Sequence, residues 1–195
     1  MSSISYYNTQ AQTFFERTIN ADISDSYKAL TPLLPYGSKI LDAGCGSGRD
    51  ALYFKNKNYH VEAFDGSSEM VRLSTELLQQ PTKLLQFHEM NYDQEFDAIW
   101  AQASLLHVPY EELSAILDKM HQALKTDGYL YASFKYGYGK RLSEDRTFYD
   151  MDEEHMMEFL NPKFNAIKLW QSDDTRSTVG PSPSKKWLHV IAQKK

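Results

Sequence analysis

Three glycines that follow an aspartate are the chemically most informative stretch of the sequence. Gly44, Gly46 and Gly48 alternate with other residues directly after Asp42. A glycine-rich backbone lets a ligand approach closely. The dinucleotide fingerprint G-x-G-x-x-G requires glycine at position 49, where Arg49 stands, so the spacing disfavours a dehydrogenase. A carboxylate just before the turn suits a ligand with an ammonium group better than a pyrophosphate.

A second aspartate extends this pattern. Asp65 lies 21 positions after Gly44, at the end of a predicted strand. An acidic residue at that distance accepts hydrogen bonds from ribose hydroxyls in open α/β folds. The two aspartates together indicate a ligand with a ribose and an ammonium group and no required phosphate, a description that S-adenosylmethionine fits. The other interpretation is that Asp65 only caps the following helix.

The elements around these residues alternate between strand and helix. The pattern predicts strands over 38–43, 60–65, 83–87, 96–102 and 129–135, and helices over 49–57, 67–79 and 110–124, with a turn at 126–128. Strands separated by helices of about 10–15 residues indicate βαβ units and a parallel sheet. Residues 4–35 read as a helical lead-in, which is either a layer on the sheet or a lid that brings Tyr6 or Tyr7 over a ligand.

The C-terminal third has a different pattern. A loop at 137–141 precedes a helix over 152–160 and strands over 164–171 and 186–193. Because no helix separates the last two strands, they should pair as an antiparallel hairpin at a sheet edge. We predict a single domain over 1–195, divided into a lead-in or lid (1–37), a cofactor-binding core (38–135) and an acceptor-side helix and hairpin (136–195).

Composition narrows the class of protein. The 195 residues carry a net charge of -5, which disfavours a broad non-specific grip on nucleic acid. No apolar run approaches the ~20 residues that span a bilayer, and the first ten residues lack signal-peptide features, so we expect a cytoplasmic location and no membrane partner. A single cysteine, Cys45, and six scattered histidines predict no metal site.

The motifs, taken in order, resemble the class I S-adenosylmethionine-dependent methyltransferases. The resemblance is carried by Asp42-Ala43-Gly44-Cys45-Gly46-Ser47-Gly48 with Asp65, by Phe96-Asp97-Ala98-Ile99-Trp100-Ala101, by Leu105-Leu106-His107 and by Leu124-Lys125-Thr126-Asp127-Gly128-Tyr129-Leu130. The last motif departs from the usual L-K-P-G-G-x-L at two positions. The continuation into Arg49 and Asp50 is similar to small bacterial enzymes of the tellurite-resistance and thiopurine methyltransferase group.

The resemblance implies an α/β fold, a three-layer Rossmann-like sandwich with a mostly parallel seven-stranded sheet and an antiparallel C-terminal hairpin strand. It also implies a set of cofactor-binding residues: Asp42, Gly44, Cys45, Gly46, Gly48, Arg49, Asp65, Gly66, Ser67, Met70, Met90, Asn91, Gln102, Ala103 and Leu106. For some of these a plainer role is open: Cys45 as a small apolar filler, Met70 as core and Arg49 as a solvated or paired cation.

The acceptor side is less well defined by the sequence. His107 follows the fourth strand at the rim of the predicted pocket and is the candidate catalytic base, or else a pocket-lining residue. The predicted acceptor-lining residues are Tyr7, His107, Lys135, Tyr136, Arg146, Trp170 and Arg176. Aromatic rings with arginines suit a planar or anionic small molecule, and they can also stack on bases.

We therefore expect an S-adenosylmethionine-dependent methyltransferase that methylates a small molecule by in-line displacement. One alternative is a methyltransferase of tRNA or another nucleic acid, although the Asn-Pro-Pro-Tyr type of motif is absent after the fourth strand. Another is a non-catalytic S-adenosylmethionine-binding module, because cofactor binding alone accounts for Asp42, the glycines and Asp65.

Overall fold

The computed structural model describes residues 3–161, 163–174 and 186–195. Its helices are α1 (Ser3–Thr9), α2 (Ala11–Thr18), α3 (Ser24–Leu30), α4 (Arg49–Asn56), α5 (Ser68–Leu78), α6 (Tyr110–Ala123) and α7 (Glu153–Leu160). Its strands are β1 (Lys39–Ala43), β2 (His60–Asp65), β3 (Lys83–Leu84), β4 (Phe96–Ala101), β5 (Leu124–Lys135), β6 (Gly139–Ser143), β7 (Arg146–Asp150), β8 (Phe164–Asp173) and β9 (Lys186–Lys194).

Seven strands form one sheet in the order β3-β2-β1-β4-β5-β9-β8. The pairs among β1 to β5 are parallel, whereas β9 is antiparallel to both β5 and β8. Helices α3, α4 and α5 pack on one face, and α6 and α7 pack on the other. The predicted fold class is confirmed, including the C-terminal hairpin, and β9 lies between β5 and the edge strand.

Alternation along the strands divides the core between the two faces. Ile40 faces α3 and α4, and its neighbour Leu41 faces α6; Ala98 and Ile99 on β4 divide in the same way. All four side chains are fully buried. Runs that are apolar on both faces are typical of parallel sheets covered on both sides.

Aromatic rings and one carboxylate fill the α3–α4 face. The indole of Trp100 stacks on Tyr131, with ring centroids 3.8 Å apart, and on Tyr27 at 5.4 Å. The Trp100 Nε1 donates a hydrogen bond of 2.8 Å to the buried carboxylate of Asp50. The Tyr27 hydroxyl donates one of 2.7 Å to the same carboxylate, and Arg49 forms an ion pair with it. A buried charge is retained only with such partners.

Two segments differ from the sequence prediction. Strand β5 runs through the predicted turn at 126–128, where Asp127 has φ 61° and the register with β4 shifts. The predicted loop at 137–141 is wrong, because β6 begins at Gly139 and pairs with β7 in an antiparallel hairpin. Its two-residue turn is Glu144-Asp145, both with positive φ. Asn-Gly or Asp-Gly usually fills such a turn, so these residues give only a weak hairpin signal.

The predicted helical lead-in over 4–35 consists of α1, α2 and α3, and a short 3₁₀ turn over Thr31–Leu33 follows α3. Across the described ranges, no helix combines the length and the apolar character that crossing a bilayer requires.

Replacing the buried carboxylate should destabilise the fold. Asp50→Ala leaves the donors of Tyr27, Trp100 and Arg49 without their shared acceptor, and breaking a buried charged network costs about 3–5 kcal/mol. Urea unfolding measures the loss. Asp25→Ala is the control, since that side chain is 91% exposed and should change the free energy of unfolding by less than about 0.5 kcal/mol. Equal losses in the two variants would contradict the assignment.

Candidate functional site

A cavity of about 440 Å³ lies at the carboxyl ends of β1, β2 and β4. Helix α1 and the β6–β7 hairpin contribute its outer walls through Tyr7 and Thr147. Ligands bind at this edge in open parallel sheets. Twelve residues named from the sequence line the cavity: Tyr7, Asp42, Gly44, Cys45, Gly46, Arg49, Asp65, Gly66, Ser67, Gln102, Ala103 and His107.

The glycine turn is shaped by positions that a side chain cannot occupy. Gly44 has φ 75°, and a Cβ there would lie 2.6 Å from the Cβ of Ser104. Gly48 has φ 79° and is followed by α4, and a Cβ there would lie 3.0 Å from the Cβ of Ser74 on α5. Gly44 therefore lets the turn approach the segment after β4. Gly48 lets α4 approach α5, and the cavity wall does not include it.

Asp42 lies at the floor of the cavity and is only 2% exposed. Its carboxylate accepts a hydrogen bond of 3.0 Å from the Ala51 amide in the first turn of α4. Burial, and then the neighbouring charge of Asp50, raise the pKa of Asp42 well above its usual value. A cation placed at this carboxylate would favour its charged form.

Asp65 joins β2 to the glycine turn. One carboxylate oxygen accepts a hydrogen bond of 2.9 Å from the Gly46 amide, and the other accepts one of 2.8 Å from the Ser67 amide. Burial raises the pKa of Asp65, while these backbone hydrogen bonds oppose the rise. The N-cap of α5 is Ser67, which accepts a hydrogen bond from the Met70 amide, so Asp65 itself is not the cap.

Arg49 has its charge and its donors engaged within the protein. Its Nε pairs with Asp50 at 2.5 Å, and its Nη1 donates to the Thr18 carbonyl at 3.1 Å. Arg49 thus ties the end of α2 to the start of α4, and in the cavity wall it contributes mainly shape.

Gln102 is oriented by a residue of the next strand. The Tyr131 hydroxyl donates a hydrogen bond to the Gln102 side-chain oxygen, and it also lies 2.9 Å from the Nδ1 of His189. This hydrogen bond fixes the orientation of the amide, which leaves the amide nitrogen as a donor and one lone pair of the oxygen as an acceptor.

His107 is the centre of a hydrogen-bonded cluster at the outer wall. Its Nδ1 lies 2.7 Å from the Thr147 carbonyl oxygen, and its Nε2 lies 2.8 Å from the Tyr7 hydroxyl. Burial lowers the pKa of His107 to about 4, and the positive charge of Arg146 contributes to the lowering. Burial raises the pKa of the Tyr7 phenol, and Arg146 opposes that rise. His107 is therefore neutral at neutral pH.

Helix α1 connects the two ends of the cavity. Asn8 accepts a hydrogen bond of 2.7 Å from the Ser67 hydroxyl, beside Asp65. Tyr6 donates to Glu144 in the hairpin turn, and the Arg146 guanidinium lies 4.4 Å from the centre of the Tyr6 ring. Helix α1 contributes Ser3, Ile4 and Tyr7 to the cavity wall, whereas α3 packs on the sheet as a layer; that α1 acts as a lid stays a prediction.

Four predicted cofactor residues lie away from the cavity wall besides Gly48. Met70, Met90 and Leu106 are buried in hydrophobic core clusters, and Asn91 is exposed. The chain after β3 forms a 3₁₀ turn over Phe87–Glu89, which places Leu85, Gln86, Phe87 and His88 in the wall instead. Apolar spacing alone does not distinguish a methionine in the core from one beside a ligand.

The predicted acceptor residues of the C-terminal third are also elsewhere. Lys135 pairs with Asp174 and lies over the Trp187 ring at 3.9 Å, and Trp170 stacks on His189 at the far edge of the sheet. Tyr136 does not line the cavity, Arg146 lies behind Tyr7, and Arg176 is outside the described residues. The sheet order separates β8 from β4 by two strands, which the sequence does not reveal.

Sequence reasoning missed several wall residues. They include Phe14, Phe87, Ser104 and Thr147. Thr147 carries no chemical signal of its own, because its backbone carbonyl makes the contact with His107. Ser104 could have been suspected from its position after β4, where its hydroxyl donates to the Ala43 carbonyl at 2.7 Å. Within the described part of the chain, no three acidic, cysteine or histidine side chains are grouped as a metal site.

Comparisons with known proteins match the chain to a protein family and to curated relatives. A family model described as a methyltransferase domain matches residues 15–194. An uncharacterized methyltransferase of Staphylococcus carnosus is 28% identical over 128 residues, which are 62% of each chain. The probable S-adenosyl-L-methionine-dependent methyltransferase TehB of Haemophilus influenzae is 26% identical, over 63% of this chain and 41% of its own. The chain thus spans less than two thirds of the length of either relative.

Solved structures share the fold. A Burkholderia thailandensis 1,6-didemethyltoxoflavin-N1-methyltransferase, solved with 1,6-didemethyltoxoflavin and S-adenosylhomocysteine, has a TM-score of 0.77 at 21% identity. The match covers 98% of this chain and 85% of that one. A S-adenosylmethionine-dependent methyltransferase of Methanosarcina mazei has a TM-score of 0.74 at 23% identity, over 86% and 97% of the two chains.

The partly buried imidazole of His107 should make the stability of the fold depend on pH. The unfolded chain protonates this group near pH 6.5 and the folded chain near 4, so between these values the unfolded state binds more protons and acid destabilises the fold. The contribution is complete above 6.5 and lost as pH falls to 4. His107→Gln should remove up to roughly 3 kcal/mol of this dependence in urea unfolding. Exposed His60, replaced by Gln, is the control. An NMR titration midpoint for His107 near 6.5 would contradict the prediction.

Proposed function

The chain belongs to the methyltransferase domain family, and we propose that it transfers a methyl group from S-adenosylmethionine to a small-molecule acceptor. The observation that carries the proposal is the single cavity that joins Asp42 and Asp65 to the Tyr7–His107 wall. Two carboxylates that suit an ammonium and a ribose lie at one end. The other end has polar and aromatic groups, among them Tyr7, His107 and Thr147, and Glu112 is also part of the lining.

The assignment of the cofactor half of the cavity rests on the residues in and beside the glycine turn. The Asp42 carboxylate would face the ammonium of the methionine part, and the Asp65 oxygens would accept hydrogen bonds from the ribose. The Gln102 amide nitrogen would donate a hydrogen bond to the ligand. Bound S-adenosylmethionine supplies an electrophilic methyl group on a sulfonium. The resemblance to TehB, whose description includes the same cofactor, supports this assignment.

The acceptor half of the cavity supports a small molecule as the methyl acceptor. The whole cavity, which would hold the cofactor and the acceptor together, has a volume of about 440 Å³, within the usual range of roughly 300–1,000 Å³ for small-ligand sites, so the room left for an acceptor suits a small molecule. Helix α1 and the β6–β7 hairpin restrict access to it, and the chain is acidic overall. The Burkholderia enzyme of similar fold is a 1,6-didemethyltoxoflavin-N1-methyltransferase that was solved with 1,6-didemethyltoxoflavin bound. The chain's contribution to rate is then to align the acceptor with the methyl group and to exclude water.

Asp65→Ala should weaken binding of S-adenosylhomocysteine by about tenfold or more. The change removes the ribose acceptor and also frees the Gly46 and Ser67 amides that shape the turn, and lost charged hydrogen bonds of this kind cost about 1.5–3 kcal/mol. Isothermal titration calorimetry measures the affinity. The exposed Asp93→Ala is the control, and its affinity should equal that of the wild type. An unchanged affinity in Asp65→Ala would remove this residue from the site.

A labelling experiment tests the proposed reaction. The protein is incubated with methyl-labelled S-adenosylmethionine and separated metabolite and RNA fractions, with Asp65→Ala as the inactive control. We expect label in the metabolite fraction only. Label in RNA would favour the nucleic-acid alternative. Cofactor binding without label in either fraction would favour a binding module.

A further inference from the structure

The hydrogen bonds behind Tyr7 have a defined direction. The Thr147 carbonyl oxygen can only accept, and it lies 2.7 Å from the His107 Nδ1, so that nitrogen must carry the imidazole proton. The Ser3 hydroxyl, 3.3 Å from the same nitrogen, donates to the Thr147 carbonyl instead. In a neutral imidazole the Nε2 is then a lone pair, which can only accept.

The donor-to-acceptor direction of these hydrogen bonds also fixes the hydrogen bond between His107 and Tyr7. Because the His107 Nε2 accepts, the Tyr7 hydroxyl at 2.8 Å uses its one proton for that bond. Its oxygen can accept two hydrogen bonds, and one position faces the Arg146 Nη1, at the longer distance of 3.4 Å. Tyr7 lines the cavity, and a ligand that reaches its hydroxyl from there would meet the remaining lone pair and not a proton.

Building on the proposed function, we propose that Tyr7 is the specificity-determining residue on the acceptor side and that it selects methyl acceptors with an N–H or O–H donor. His107 and Thr147 are positioning residues, because they act on the acceptor through the direction of the Tyr7 hydroxyl. The acceptor class is thus a small aromatic or heteroaromatic N–H or O–H compound, since Tyr7, Phe14 and Phe87 line the same cavity.

The groups around Tyr7 and His107 support this direction of their hydrogen bond. Burial keeps His107 neutral, with a pKa of about 4, so the direction is stable at neutral pH. The Arg146 guanidinium contacts Tyr6, Tyr7 and Phe148, and it stays behind the wall rather than in the cavity. The charge that would attract an anionic acceptor is thereby withheld.

Matched probe pairs test the proposal without a known substrate. Benzimidazole and 1-methylbenzimidazole, and aniline and N,N-dimethylaniline, differ in whether they can donate a hydrogen bond. Each is titrated into the protein saturated with S-adenosylhomocysteine, and NMR shifts give the dissociation constants. We expect the donor member of each pair to bind about 3- to 10-fold more tightly to the wild type. Tyr7→Phe should abolish this ratio, whereas Tyr6→Phe, on the adjacent phenol that contacts Glu144, should keep it.

His107 variants separate positioning from packing. His107→Gln keeps an acceptor oxygen near the position of Nε2 and should retain the ratio; His107→Leu should lose it. The ¹⁵N spectrum of the wild-type imidazole should show the proton on Nδ1. A proton on Nε2, equal affinity of the paired probes, or a ratio that survives in Tyr7→Phe would overturn the proposal.

A failure of the inference about Tyr7 can be distinguished from a failure of the proposed function. If S-adenosylhomocysteine binds and Tyr7→Phe leaves the ratio unchanged, the inference about Tyr7 fails and the methyltransferase proposal stands. If S-adenosylhomocysteine does not bind, the methyltransferase proposal fails, and the probe ratio measured on the protein alone still decides whether Tyr7 selects donors.

Discussion

The buried carboxylate of Asp50 organises the structure around the cavity. It accepts hydrogen bonds from Tyr27 on α3 and Trp100 on β4, and it pairs with Arg49, whose Nη1 reaches the end of α2. One desolvated charge thus joins three helices to the central strand. Because a buried charge is tolerated only when its partners are in place, these elements must adopt their mutual positions together. The glycine turn, which immediately precedes Asp50, is held by the same network.

A second constraint is that helix α1 belongs to both halves of the site. Asn8 contacts Ser67, two residues after Asp65, while Tyr7 contacts His107 at the outer wall. Helix α1 is short and has no buried residue of its own. The Tyr7 ring packs against the apolar cluster of Ala11, Met70 and Leu73, so this packing and the polar contacts together hold the helix, and an element with little buried surface is one that opens locally. Groups at the two ends of the cavity are in this way coupled through one helix.

The sequence predicts the cofactor side of this arrangement much better than the acceptor side. Gly44, Gly46, Asp42 and Asp65 have signals that arise from local geometry, since a turn between strand and helix is a contiguous piece of chain. The acceptor wall is assembled from α1, the segment after β4 and the β6–β7 hairpin, which are distant in sequence. The hairpin itself was missed because Glu144-Asp145 is an uncommon turn pair. Without that hairpin, the contact between Thr147 and His107 could not be foreseen.

The distribution of charge in the cavity matches the proposed cationic ligand. Burial raises the pKa of Asp42 and of Asp65, and the proximity of Asp50 raises the pKa of Asp42 further. A site that disfavours its own negative charges gains most from a ligand that carries positive charge. At the acceptor wall, burial keeps His107 neutral and Arg146 is retained behind Tyr7. The floor of the cavity would thus favour a ligand that carries positive charge, while the rings of Tyr7 and His107 at the opposite wall are neutral at neutral pH.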